Sequence, residues 1–88
     1  MNTQSFCDLA EKEGFSVGEE ISRPAGSENA DHAHHFDARL FVLAGDITIG
    51  INGTATTYRT GEVFEVAAGT MHTEKVGENG VSLLVGRR

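Results

Sequence analysis

The first apolar pattern along the chain has the spacing of a helix. Over residues 5–13, Phe6, Leu9 and Ala10 recur at steps of three and four behind Ser5, with Asp8 three positions beyond it. This predicts a short amphipathic helix opened by Ser5 and closed at Gly14. From Phe15 the period shortens to two. β-Branched and aromatic residues alternate with polar ones between glycines, predicting strands near 15–22, 31–36, 38–44, 46–51, 54–60, 62–66, 71–76 and 81–86. Gly45-Asp46 and Asn52-Gly53 read as hairpin turns, the second the stronger because both residues tolerate positive φ. Pro24-Ala25-Gly26 and residues 67–70 read as loops. The expected architecture is all-β, a sandwich or barrel over 15–88, with a short N-terminal helix in 1–14.

Alternation also assigns faces. Leu40 and Val42 continue the face of His34, and Ile47, Ile49, Ile51, Phe64, Val66, Val81, Leu83 and Val85 supply further inward positions. Phe41 and Leu43 point the other way. Something must cover them, either the helix or a second subunit, and with so small a chain this predicts a homodimer.

Charge narrows the partners. Thirteen acidic against seven basic residues leave a net charge of −6 in 88 residues, which excludes nucleic acid as an expected partner. Arg87-Arg88 reads as a solvated tail. No apolar stretch approaches the ~20 residues of a membrane span, and no signal peptide is visible, so no membrane partner is expected. The single cysteine, Cys7, allows no internal disulfide, which points to a reducing, cytoplasmic setting. Cys7 and Tyr58 read as packing residues.

The candidate chemistry lies in the histidines. All four fall in two short stretches, His32, His34 and His35 in one and His72 in the other. On a strand, His32 and His34 share a face and can reach one metal ion, while His35 faces away. His72 supplies a third imidazole if a distant strand folds alongside. Imidazole-rich sites take divalent iron, nickel, zinc, copper or manganese, and the sequence does not choose among them.

The spacing around these residues is specific. Gly26-x5-His32-x-His34-x3-Ala38-x6-Gly45 is followed, after fifteen residues, by Gly61-x5-Ala67-x-Gly69-x2-His72-x3-Val76. The two runs resemble the paired motifs of the cupin superfamily. The resemblance implies a small antiparallel barrel, the double-stranded β-helix, with a divalent transition metal ion held in its mouth by His32, His34 and His72. Three positions depart from the family pattern. Ala67 and Val76 replace a proline and an asparagine, and Ala38 stands where a glutamate ligand usually lies.

Two carboxylates are candidates for the missing ligand. Asp37 adjoins the vacant position and reaches inward if the chain bulges after Phe36; otherwise it is a solvated partner of Arg39. Glu74 shares the face of His72 and offers a ligand or general base; otherwise it is a rim residue paired with Lys75. The expected metal set is therefore His32, His34, Asp37 and His72, with Glu74 or water as alternatives to Asp37. The resemblance implies a metal-dependent small-molecule enzyme of the dioxygenase or isomerase kind. The loss of glutamate at Ala38 favours the other reading, a non-catalytic sensor or binding module using the same pocket.

Overall fold

The computed structural model describes all 88 residues. Helix α1 (Thr3–Lys12) is followed by seven strands: β1 (Ser16–Val17), β2 (Ile21–Arg23), β3 (Glu28–His32), β4 (Ala38–Ile51), β5 (Thr54–Arg59), β6 (Val63–Val66) and β7 (His72–Arg87). All pairings are antiparallel, and together they make one seven-stranded sheet. No helix is long and apolar enough to cross a membrane.

Two long strands carry the architecture. β4 and β7 pair with each other along most of their length, and every other strand pairs with one of them. Gly45-Asp46 is therefore not the expected hairpin turn, and the strands expected at 71–76 and 81–86 are a single strand. Gly45 and Gly80 both sit at positive φ, +76° and +73°, where the two strands bend together. A Cβ on Gly45 would overlap the Gly80 carbonyl oxygen. Locally a Gly-Asp pair suits a hairpin or a bend equally well, and only the partner strand decides between them. Asn52 and Gly53, at φ 51° and 79°, do make the expected turn between β4 and β5.

The bend folds the sheet over on itself, which gives the expected small antiparallel barrel. In one half β7 and β4 are flanked by β1, β2 and β6, and in the other by β3 and β5. The register shifts between Val42 and Ile47, so inward positions on β4 change from even (Ala38, Leu40, Val42) to odd (Ile47, Ile49). These residues join Phe64, Val66, Val76, Val81, Leu83 and Val85 in the core, with Tyr58 stacked on Phe64 at 4.3 Å between ring centroids.

Several boundaries differ from expectation. The helix begins earlier, because the Asn2 side chain accepts a hydrogen bond from the Ser5 backbone N–H at 2.8 Å and takes the capping role expected of Ser5. Its buried face is Phe6 and Ala10, and Leu9 is exposed. The strand expected over 15–22 is split into β1 and β2 by a one-residue slip against β7. The strand expected over 31–36 lies instead at Glu28–His32, and residues 33–37 are irregular.

α1 lies on the outside of the barrel, where Phe6 stacks on Phe41 at 5.3 Å and packs with Leu84, Cys7, Val17 and Leu43. The face of Phe41 and Leu43 that prompted the expected homodimer is thus covered within one chain.

Two substitutions test this account by chemical denaturation. Gly45→Ala must place a methyl group on the Gly80 carbonyl at an unfavourable φ, and should cost roughly 3 kcal/mol or more. Gly53→Ala, at similar φ with open space around it, should cost only about 1–2 kcal/mol. Equal losses would show that the bend does not depend on Gly45. Phe6→Ala should cost about 3–5 kcal/mol through the cavity left against Phe41 and Leu84.

Candidate metal centre

His32, on the last residue of β3, is the direct cross-strand partner of His72, on the first residue of β7. Two residues further along β7, Glu74 lies on the same inward face, opposite Asn29. His34 comes from the irregular stretch after β3 and not from a strand, yet its ring still arrives beside the other two. Ring centroids are 4.3 Å apart for His32 and His72, 5.0 Å for His32 and His34, and 5.2 Å for His34 and His72. One donor atom from each of His32, His34, His72 and Glu74 falls in a group with no pair further apart than 4.8 Å. An ion at ~2.0–2.2 Å from each donor spans at most about 4.4 Å, so movements of a few tenths of an ångström complete a coordination shell.

The hydrogen bonds around the rings decide which way they face. His32 Nδ1 lies 2.9 Å from the Ala30 carbonyl and His72 Nδ1 lies 2.9 Å from the Thr70 carbonyl. A carbonyl only accepts, which assigns the proton to Nδ1 in both rings and turns the Nε2 lone pairs inward. Both Nε2 atoms then face Glu74 Oε2, at 3.5 Å from His32 and 3.3 Å from His72. An ionised carboxylate is also only an acceptor. Lone pairs therefore meet unless a cation, a proton or a metal ion, lies among them. His72 is 1% exposed, so bulk water cannot relieve the conflict. This donor set fits a divalent transition ion.

Neighbouring groups hold the donors in place. Asn29 Nδ2 donates to Glu74 Oε1 at 3.0 Å, leaving Oε2 to face the imidazoles. Phe36 stacks on His34 at 4.9 Å. The His34 ring titrates below its ordinary value of 6.5, first because burial disfavours its charged form and then because His32 and His72 lie close by. Asn29 is a residue that sequence reasoning missed. Its role follows from a register between β3 and β7 that no local pattern encodes.

Asp37 is not brought to this cluster. The chain does leave regular strand geometry around Phe36, but the carboxylate turns toward the 67–70 loop. Its Oδ1 accepts from the Ala68 N–H at 2.8 Å and its Oδ2 accepts from Arg88 at 3.4 Å. These donors hold its carboxyl below the usual carboxylate range, the Ala68 N–H most of all. Nor is Asp37 the partner of Arg39, which binds Glu13 at 2.7 Å and Glu65 at 3.1 Å. Ala38 is buried on the inward face of β4, and the carboxylate expected there comes instead from Glu74 on β7. His35 is exposed, although it lies in the irregular stretch rather than on the strand its expected orientation assumed.

A cavity of about 100 Å³ adjoins the cluster, walled by apolar side chains that include Leu40, Ile47, Ile49, Phe64 and Leu83.

No family model matches the sequence, and no curated protein is significantly similar to it. Solved structures are similar. A protein of unknown function from Rhizobium leguminosarum superposes with a TM-score of 0.76 and 19% identity, covering 85% of this chain and 70% of its own. The Cnp3 cupin domain of Schizosaccharomyces pombe gives a TM-score of 0.73 at 27% identity, over 83% of this chain and 54% of that one. A cupin-2 domain protein from Shewanella frigidimarina gives 0.69 at 18% identity, over 100% of this chain and 94% of that one. With its sheet folded over at β4 and β7 and its paired and third histidines meeting inside, the chain has the fold of the cupin proteins it resembles.

Proposed function

We propose that this protein binds one divalent first-row transition ion through His32, His34, His72 and Glu74, and uses it to act on a small molecule in the adjoining cavity by dioxygenase or isomerase chemistry. The observation that carries the reading is the surroundings of His72. It is a buried imidazole with an oxygen acceptor at each nitrogen, Thr70 on one side and Glu74 on the other. When bound, such an ion acts as a Lewis acid toward a substrate oxygen. The protein's own contribution is to orient. The Ala30 and Thr70 carbonyls fix the tautomers of His32 and His72, Asn29 fixes Glu74, and the apolar wall limits the water that reaches the site. The vacancy at Ala38, which favours a non-catalytic module, loses its weight because Glu74 offers a carboxylate from another strand.

Elemental analysis tests the ligand set. Protein purified without chelator should carry close to one equivalent of a transition metal. His72→Ala and Glu74→Gln should lose it, Asn29→Ala should weaken binding by about 10–100-fold, and Asp37→Asn should keep it. Loss from Asp37→Asn equal to that from Glu74→Gln would place the wrong carboxylate in the set.

The chelator-treated protein gives a second test by NMR titration of the ring protons. His34 should titrate below 6.5. Because its folded pKa is depressed, the unfolded chain takes up this proton more readily. The associated stability is fully present above pH 6.5 and is lost as pH falls through the folded value. A His34 titration at or above 6.5 would contradict the burial described here.

A further inference from the structure

Two arginines, Arg23 and Arg87, line the same cavity as the histidine and glutamate cluster. Strand register puts them there. Ile21 and Arg23 pair with the inward residues Leu83 and Val81, and Arg87 follows Val85 on the inward face of β7, opposite Ala38. Arg87 and Arg88 are both exposed, as the sequence suggests, but they are not a free tail, since Arg87 ends β7. Arg88 binds the Glu13 carbonyl and Asp37, while the Arg87 guanidinium lies 5.3 Å over the Phe36 ring, whose other neighbour is His34.

Of the basic residues without an acidic partner, a group that also includes Lys12, Arg59 and Lys75, only Arg23 and Arg87 line the cavity. In a chain with thirteen carboxylates and a net charge of −6, Arg39 and Arg88 each have an acidic partner, and Arg23 and Arg87 have none. Glu74 is the one carboxylate lining the cavity, and its Oε1 is held by Asn29 while its Oε2 faces His32 and His72 rather than the arginines. The cavity thus carries a local excess of positive charge inside a protein that repels anions at long range. Guanidinium groups free of internal partners and facing a small chamber are suited to a carboxylate, which they bind through paired N–H donors. At about 100 Å³ the chamber is smaller than the roughly 300–1,000 Å³ of ordinary ligand pockets, which suits a short occupant.

We infer that the small molecule taken by this site is a short-chain carboxylic acid, its carboxylate held at the cavity mouth by Arg23 and Arg87 and its other end directed at His32, His34, His72 and Glu74. The inference rests on the proposed function only for that second contact.

Calorimetric titration tests it, using acetate, pyruvate, malonate and succinate, each beside its uncharged amide. The protein is taken both metal-loaded and chelator-treated, with metal content measured in parallel. At least one acid should bind the wild type at least tenfold more tightly than its amide. The double variant Arg23→Gln/Arg87→Gln should lose that preference while keeping the metal content and Tm of the wild type, and Arg87→Lys should retain part of it. The inference is overturned if no acid outperforms its amide, or if the double variant binds as well as the wild type. Metal uptake without any acid preference overturns it and leaves the metal reading intact. Acid preference lost only in the double variant, in a protein that takes up no metal, supports it while removing the metal reading.

Discussion

β4 and β7 touch backbone to backbone at Gly45 and Gly80, and the rest of the molecule is arranged by that contact. A side chain at Gly45 would collide with the Gly80 carbonyl and push the two strands apart, while one at Gly80 would press on the Arg23 carbonyl of β2. Because the bend is shared, each long strand serves both halves of the barrel. The inward stripe of β4 moves from Leu40 and Val42 to Ile47 and Ile49, and that of β7 from Val76 to Val81, without a break in the core. His72 and Glu74 lie at the start of β7, beside His32 at the end of β3.

A small barrel also has an outer face to protect, and this chain does so with its own ends. α1 covers Phe41 and Leu84 with Phe6, and the turn after it is tied down around Phe15. Arg39 and Arg88 each place a guanidinium about one ring contact from Phe15, at 4.6 and 4.5 Å, while also binding Glu13 through its carboxylate and its carbonyl. Exposed ion pairs contribute only about 0.2–1 kcal/mol each, so the anchor is mostly the burial of Phe6 and Phe15. The basic residues at the end of the chain have divided roles. Arg88 closes the fold against Asp37 and Glu13, and Arg87 faces the cavity.

Inside, polar groups are concentrated at one end of an otherwise apolar chamber. The Asn29–Glu74 pair and the two carbonyls behind the rings give the donors of Glu74, His32 and His72 a fixed direction. Glu74 puts a carboxylate beside three imidazoles from β7, on the strand that also carries His72. On the β4 side this leaves Ala38, a small side chain lining the cavity where a larger one would narrow it.

The alternating residues from Leu40 to Val85 and the two glycine-histidine runs made the barrel, its core and the three imidazoles legible in the sequence, because period, turn chemistry and motif spacing are local properties of a chain. Asn52-Gly53 was readable for the same reason. Gly45-Asp46 was not, since a bend and a hairpin ask for the same backbone angles and differ only in which strand lies alongside. The position of Glu74 rather than Asp37 beside the imidazoles, the support from Asn29, and the inward position of Arg87 all depend on register between segments forty or more residues apart in the chain. Register is set by the simultaneous packing of every strand on its neighbours. It therefore exists only once the tertiary structure has formed.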